Sequence, residues 1–402
     1  MKEWSEPNKK DTVLAASVLF ILAVSLYRIW VVARTGMIDL RDHQWIWTEC
    51  RIAWFHVDPY TAMQQKLTVH GLHTFSHISS TPWGLTLGTL LHGAFLPYTY
   101  SLIWYNAVRI LVLILMLFLL NRKMIQEEFP VWKRILGFLL VPAPWYSISS
   151  IITGNNGEAV CFLIIGAVCI LEEHELLAGF MMLFAMIKPQ IALPFFAMFL
   201  LEKRWKTIAV SVTGVFTAWI FSAVWTQTNP LAQLRGMVSF ANAMEAGYHV
   251  VGILDILRHV GVPNAAALLL SMLAGIGLLA VMAFGIRGKV NDRFCRYSIP
   301  AIVSIMWCYK TECDYMILIL AALAILELWR EQIGGKEALW LLAGLFMLYT
   351  KPFSTVLLGR LSFLSSYTCN RLDLYMKTAV IFILVWAMEK SNQYHSLKKS
   401  GK

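Results

Sequence analysis

The 402-residue chain is 58% hydrophobic and only 14% charged, with a formal net charge of +10. Soluble domains carry about 25% charged residues, so this composition excludes an ordinary soluble protein. Long apolar runs without alternation also exclude a membrane β-barrel. The basic excess does not indicate nucleic acid, because much of the Lys and Arg lies in short connections between apolar runs, where it orients the chain in a membrane.

The sequence predicts an all-α, polytopic bundle that is one integral-membrane domain over 1–402. The first apolar run is too long for a signal peptide and lacks a small-residue cleavage site, so we expect a retained anchor. Several of the predicted helices are too short to cross a ~30 Å hydrocarbon core alone. About twelve are predicted: 12–33, 100–121, 134–151, 157–171, 175–187, 190–202, 207–226, 263–286, 297–309, 314–330, 337–350 and 372–388.

The distribution of basic residues predicts the orientation in the plasma (inner) membrane. Most basic connections, and the tail at 389–402, fall on one side if both termini are cytoplasmic. Two large loops, 34–99 and 227–262, are then outside. In the first, "HQWIWTECRIAWF" predicts an amphipathic helix in the interface, and "PWGLTLGTLLHGAFLP" predicts a second in-plane or re-entrant helix.

Cysteine and histidine spacing gives no metal or disulfide signal. The seven cysteines are scattered without a C-x-x-C pair, so neither a disulfide framework nor a zinc site is predicted. Cys308 and Cys313 could pair, but two free thiols are the simpler interpretation. No G-x-x-x-x-G-K-[ST] loop is present, so an ATP-driven motor is not predicted.

Charged groups at the edge of a membrane bundle are costly and mark a pathway or a site by default. Five polar clusters fall on the predicted outer side. The first, "DLRDH", is an ordinary solvated loop on composition alone; its ionisable residues are Asp39, Arg41, Asp42 and His43. The second, "TGNNGE", is either a plain turn or a set of partners for sugar hydroxyls, with Asn155 and Asn156 at its centre.

The other three clusters contain lysines. Lys188 precedes a proline that ends the previous helix, and it either snorkels to the interface or pairs with a lipid phosphate. The fourth cluster, "WCYKTECDY", contains Lys310 and Asp314. The fifth, "YTKPFS", contains Lys351 and is interpreted as a polar turn.

In their order and spacing these clusters resemble glycosyltransferase family 87, polytopic enzymes of the GT-C fold class. The resemblance covers residues 12 to about 330. Asp42 and the following "HQWIWTECRIAWFHVDPY" are similar to the family's aspartate and its G-x-D-P-Y motif, with His56 in place of the glycine. The block from "GNNGEAV" to "EKRWKT" is similar to the middle pattern of the family, including Lys188 and the proline after it. A late block is similar at Asp314–Tyr315, whereas a Y-x-P-P block survives only as Pro82.

The resemblance implies transfer of a sugar such as mannose from a polyprenyl-phosphate donor on the outer face of the membrane. The acceptor hydroxyl belongs to a glycolipid, a glycan or a protein. Asp42 is the expected general base, with Asp39 as the second candidate. Lys188 is the first candidate to stabilise the leaving phosphate, before Arg41 and Lys310. The remaining substrate-binding candidates are His43, Asn155, Asn156 and Asp314. No cofactor is expected; a divalent metal is compatible with the reaction but not required.

Two other classes of protein compete with this interpretation. A transporter or flippase of lipid-linked saccharides would use broken helices such as those at Lys188–Pro189 and Lys351–Pro352. Such a protein should also show related halves and charges near the bilayer midplane, which the sequence lacks. A membrane subunit without activity would leave the spacing from Asp42 to Tyr60 unexplained.

Overall fold

The structure is a computed structural model that describes residues 9–35, 40–73, 80–142, 153–245, 252–286, 293–308, 312–329, 334–349 and 366–399. In these residues the regular secondary structure is helical apart from one short antiparallel hairpin, which confirms the all-α class.

The first half of the chain forms ten helices and the hairpin, within the residues that the structure describes. In chain order they are α1 (Lys9–Thr35), α2 (Arg41–Trp54), α3 (Pro59–Gln64), β1 (Thr68–Val69), β2 (Leu72–His73), α4 (Pro82–His92), α5 (Tyr98–Gln126), α6 (Val131–Leu139), α7 (Gly157–Ile170), α8 (Glu175–Ala185), α9 (Pro189–Leu201) and α10 (Trp205–Trp225).

The described residues of the second half form further α-helices and one 3-10 helix. They are α11 (Pro230–Glu245), α12 (Ile253–His259), α13 (Asn264–Ile286), α14 (Arg293–Ser304), a 3-10 helix (Glu312–Leu318), α15 (Ile319–Leu328), α16 (Gly335–Leu348) and α17 (Ser366–Lys399).

Each of the twelve predicted segments contains a helix, but the prediction of about twelve membrane crossings is not confirmed. In the described residues, three helices are long and apolar enough to cross a membrane, namely Lys9–Tyr27 of α1, α5 and α10. Four other apolar stretches are only 10–17 residues long. The predicted helix 134–151 ends at Leu139 as α6, and residues 143–152 lie outside the described residues.

The centre of the molecule is formed by helices that are apolar on every side. All fourteen residues of α7 are buried, and so is every residue of α15. A helix without a polar face needs neighbours all round; α7 packs against α5, α8 and the 3-10 helix, while α15 packs against α14. The first turn of α7 is therefore held at the middle of the bundle.

The outer helices present apolar side chains to the surroundings. Leu19 of α1 is 53% exposed, Leu111 of α5 is 65% exposed and Val224 of α10 is 71% exposed. Apolar faces of this extent are typical of contact with membrane lipid. The chain is therefore a membrane protein.

Both helices predicted in the first large loop are present as α2 and α4, which pack against each other. Gly88 of α4 approaches Cys50 of α2 so closely that a Cβ there would lie 2.9 Å from the cysteine Sγ. Helix α4 also packs along α10. This packing holds α2, and the polar residues at its start, against the membrane helices.

Candidate active site

A chain of hydrogen bonds joins four separate parts of the sequence. Asp42 lies in the first turn of α2, Asn155 in the turn before α7, and Lys188 directly before α9. Asn155 Nδ2 donates to Asp42 Oδ2 at 2.7 Å, and Lys188 Nζ donates to Asn155 Oδ1 at 2.8 Å. Lys188 Nζ also donates to Asp314 Oδ1 at 2.7 Å. Four of the predicted site residues are thus brought together.

Two glycines of the "TGNNGE" segment permit this close approach. Gly157 donates its N–H to Asn155 Oδ1 at 2.8 Å, and a Cβ at this position would lie 2.5 Å from Asp314 Oδ1. Gly154 has a φ of +70°, and a Cβ there would lie 2.6 Å from His43 Cβ. Both positions need glycine, the first for space and the second also for its backbone conformation.

Asp42 has one carboxylate oxygen held and the other open. Its side chain is half-buried, and Oδ2 accepts from Asn155. Oδ1 has no hydrogen-bond partner among the residues that the structure describes. A position in the first turn of a helix stabilises negative charge. This carboxylate is therefore arranged to accept a proton from a hydroxyl group at Oδ1.

Lys188 and Asp314 form a buried ion pair. Their side chains are 10% and 0% exposed. Each compensates the charge of the other, which is what keeps two ions stable away from water. A snorkelling lysine would extend its ammonium to the headgroup region, and the geometry of Lys188 does not fit that interpretation.

His43 follows Asp42 in α2, and hydrogen bonds with Ser101 and His92 hold its side chain. Ser101 Oγ donates to the carbonyl of His92 at 2.6 Å, and it lies 3.3 Å from His43 Nε2. Because the hydroxyl has a single proton, His43 Nε2 is the donor and His43 Nδ1 is an acceptor. His92 Nδ1, 3.1 Å away, then carries a proton. This assignment leaves His92 Nε2, which has no hydrogen-bond partner among the described residues, as an unprotonated nitrogen.

The electrostatics of the two imidazoles agree with these tautomers. Burial, with the positive charge of Arg109, lowers the pKa of His43 to about 4. Burial lowers the pKa of His92 well below its ordinary value, with further contributions from His43 and Arg109. Both rings are therefore neutral at neutral pH.

Three residues that sequence reasoning did not select support the site from α5. Tyr105 stacks on His92 with ring centroids 4.2 Å apart and donates its hydroxyl to the Asn155 carbonyl at 2.9 Å. Arg109 lies over the Tyr105 ring and forms a buried ion pair with Glu158 of α7. Ser101 completes the closed loop of hydrogen bonds between His43 and His92. The available signal was the charge of Arg109 inside an apolar run, since such charges mark sites by default.

The remaining predicted residues have different positions. Asp39, Lys310 and Lys351 lie outside the described residues, so the predictions on them stay predictions. Arg41 is exposed at the start of α2. Asn156 is buried, and its Oδ1 has no hydrogen-bond partner in the part of the chain that the structure describes. Cys308 and Cys313 do not form a disulfide with each other, as predicted.

A metal site would need several ligand side chains grouped together. Within the described ranges, no three His, Cys, Asp or Glu side chains are grouped to hold a metal ion. Asp42 and Asp314 are the two carboxylates of the hydrogen-bond chain. The expectation that no metal is required stays a prediction.

The "DPY" motif is explained by local structure. Asp58 caps α3 by accepting from Thr61 N at 3.0 Å and from Thr61 Oγ1 at 2.7 Å. His56 has a φ of +62°, a conformation that favours glycine, which accounts for the glycine in the family pattern. The His56 ring lies 4.3 Å from the ring of Trp225.

An apolar groove of about 780 Å³ runs along α10 between α2, α4 and α8. Its walls include Trp54 of α2, Leu85 of α4 and Leu183 of α8. On α10 it extends from Ala209 to Trp225, which is about 24 Å of helix. The groove thus shares α2 with Asp42, and α8 ends shortly before Lys188.

Comparison with known proteins identifies the family. The model of glycosyltransferase family 87 matches residues 81–309, which is more than half of the chain. The matched range contains Asn155 and Lys188, whereas Asp42 precedes it and Asp314 follows it. Curated proteins and solved structures give no match. The apolar helical bundle and the family match together lead to one conclusion: the chain belongs to glycosyltransferase family 87 and is a membrane glycosyltransferase.

Proposed function

We propose that the protein transfers a sugar from a polyprenyl-phosphate donor to an acceptor hydroxyl on the outer face of the plasma membrane, with Asp42 as general base. The observation that carries this proposal is the carboxylate of Asp42, half-buried, bonded at Oδ2 and open at Oδ1. Mannose is the first sugar to test, and a glycolipid, a glycan or a protein is the acceptor.

The reaction is a single displacement at the anomeric carbon. Asp42 Oδ1 takes the proton of the acceptor hydroxyl while that oxygen forms a bond to the anomeric carbon. The bond from this carbon to the phosphate oxygen breaks, and the lipid phosphate leaves with the electron pair. Attack opposite to the leaving group inverts the anomeric configuration. General-base catalysis of this kind typically contributes about 10²–10⁴-fold.

Lys188 is the proposed cation for the leaving phosphate. Lys188 Nζ donates to Asn155 and to Asp314, and these two hydrogen bonds fix the position of the ammonium group. A phosphate at this position shares the ammonium with both acceptors, and it gains from a cation whose place is fixed before the reaction. Arg41 and Lys310 are the second choices for this interaction.

The apolar groove supports a lipid-linked donor. The surface of its lining is mainly apolar, although several threonines and one serine contribute to it, and a polyprenyl chain is an apolar ligand. Trp54 lines the groove from the last turn of α2, and Asp42 lies in the first turn. A donor with its chain in the groove would therefore bring its phosphate toward elements that also carry the site.

The distribution of charge supports the proposed orientation. The site lies at the first turn of α7, and an ionic cluster follows its last turn, about 20 Å away along the helix. In that cluster Arg293 pairs with Glu172, and Arg204 pairs with Glu175 at 3.3 Å. Basic residues favour the cytoplasmic side, which would place the opposite end, with Asp42, outside. Both termini are then cytoplasmic.

The proposal is tested by following the sugar. Membranes from cells that produce the protein are incubated with radiolabelled polyprenyl-phosphate mannose, and in parallel with the glucose and arabinose donors. The expected result is label in a new glycolipid, glycan or protein, absent from membranes without the protein. Label that stays on the polyprenyl phosphate but crosses the membrane would instead support a flippase. No protein-dependent transfer from any donor in the presence of total cell-envelope acceptors contradicts the proposal.

A further inference from the structure

The side-chain amide of Asn155 has only one orientation that its neighbours permit. Its oxygen accepts two hydrogen bonds, from Lys188 Nζ and from Gly157 N, each at 2.8 Å. A flipped amide would turn its NH₂ group toward these two donors and its oxygen toward the Asp42 carboxylate. Every contact would then be repulsive. The Nδ2 group must therefore face Asp42.

The backbone of Asn155 is fixed as firmly as its side chain. Its carbonyl accepts the hydroxyl of Tyr105 at 2.9 Å. The preceding Gly154 is pressed against His43, with room for no Cβ. Since His43 directly follows Asp42, the same contact fixes the turn of α2 that carries the carboxylate. Asn155 is 7% exposed, so little of it faces solvent.

We infer that Asn155 is a positioning residue of Asp42: its amide holds Oδ2, stabilises the ionised carboxylate and leaves Oδ1 for the acceptor hydroxyl. This inference rests on the proposed function of Asp42. It replaces the expectation that Asn155 binds sugar hydroxyls. Lys188 acts on Asp42 through Asn155, because its hydrogen bond is one of the two that fix the amide.

Several titratable groups surround Asp42 and set the background for a test by pH. They are Arg41 and His43 on its own helix, Tyr105 on α5, Lys188 before α9, and Cys313 and Asp314 on the 3-10 helix. Arg109 and Glu158 form a pair behind Tyr105. A substitution at Asn155 removes none of these groups.

The first measurement is the pH dependence of sugar transfer from polyprenyl-phosphate mannose, or from whichever donor is active. Asn155→Ala removes the N–H donor, and Asn155→Asp places a carboxylate against Asp42. Both changes favour protonated Asp42, so we expect the acid limb of the kcat/KM profile to move up by about one pH unit with Ala and about two with Asp. Asn156→Asp is the matched control, because it adds the same charge next along the chain without a bond to Asp42; its shift should be less than half as large.

A residue that merely supports the fold would lower activity equally at all pH values. A residue that binds sugar hydroxyls would raise the KM for the donor and leave the acid limb in place. Either result, for both Asn155 variants, overturns the inference.

A second measurement does not depend on catalysis. In the variant Asp42→Cys, the pH dependence of alkylation at residue 42, followed by peptide mass spectrometry, reports the pH at which that thiol ionises. Adding Asn155→Asp should raise this midpoint by at least one pH unit, whereas adding Asn156→Asp should not. An unchanged midpoint contradicts the inference even if the wild-type protein transfers sugar. If the midpoint rises but the wild-type protein transfers no sugar, the result supports the inference about Asn155 and rejects the proposed function.

Discussion

Removing one member of the Lys188–Asp314 pair should destabilise the protein more than removing both. The two charged atoms are 2.7 Å apart, and the side chains are 10% and 0% exposed. Breaking a buried pair leaves an uncompensated charge and typically costs about 3–5 kcal/mol. We expect a loss of that size in the free energy of unfolding for Lys188→Met and for Asp314→Asn.

The double variant Lys188→Met/Asp314→Asn removes both charges of the pair, so neither is left buried without its partner. It loses the pair and the Lys188–Asn155 hydrogen bond, so a total loss of about 1–3 kcal/mol is expected. The single variants therefore do not add, and the coupling free energy is at least about 3 kcal/mol. The control is the pair Arg122–Glu173, whose side chains are 48% and 33% exposed at a distance of 2.5 Å. Its double-variant cycle should give less than about 1 kcal/mol of coupling.

The assay is denaturant unfolding of the detergent-solubilised protein, followed by tryptophan fluorescence, for all four members of each cycle. A double variant as unstable as the sum of the single variants would refute the buried pair. Sugar transfer is measured on the same preparations. If the double variant folds but loses transfer, the Lys188–Asp314 pair is needed for the reaction as well as for the fold.

Three more predictions rest on particular contacts of the site. The folded-state pKa values of His43 and His92 are lowered, so the unfolded state binds more protons below pH 6.5. The free energy of unfolding should therefore fall as pH drops from about 6.5 to about 4. Unfolding measured at several pH values checks this, because the double variant His43→Gln/His92→Gln should lose this pH dependence. The free energy of unfolding of His56→Gly should lie within about 1 kcal/mol of the wild-type value. The β-branched variant His56→Val should lose about 1–3 kcal/mol in the same assay, because the backbone φ at position 56 is +62°. Gly157→Ala should reduce transfer at least tenfold at normal expression, because its Cβ would lie 2.5 Å from Asp314 Oδ1. Gly277→Ala should leave transfer unchanged, because its Cβ would meet no described residue within 4 Å. Equal activity of the two variants would contradict the packing.

The helices were predictable where hydrophobic runs defined them. Helix α7 was predicted over 157–171 and occupies Gly157–Ile170. The prediction was possible because a helix that is apolar on every side must be buried at the centre of a bundle. Helix α14 begins at Arg293, earlier than the predicted 297, because its charges are neutralised in the folded protein. Arg293 pairs with Glu172, and Arg296 pairs with Glu202 at 2.8 Å. These partners are remote in sequence, so the segment appeared to be a polar loop.

The site was predictable as a set of unusual polar residues but not as a geometry. Asp42, Lys188 and Asp314 were selected because charges near a membrane bundle are costly, and the structure joins them through Asn155. That Lys188 is paired with Asp314, and that the amide of Asn155 is fully engaged, depends on contacts between distant segments. The pairing of Arg109 with Glu158 depends in the same way on how α5 packs against α7. Patterns within one sequence do not specify such contacts.

The central claim is that Asp42 removes the proton of the acceptor, and its most direct test is transfer by Asp42→Asn against Asp58→Asn. Both variants replace one carboxylate near the start of a helix by its amide. Asn still caps α3 at position 58, whereas at position 42 it cannot accept a proton. With radiolabelled polyprenyl-phosphate sugar and equal amounts of folded protein, we expect Asp58→Asn to keep most of the transfer and Asp42→Asn to lose at least about 10²-fold. Transfer by Asp42→Asn at the rate of the wild type would contradict the account.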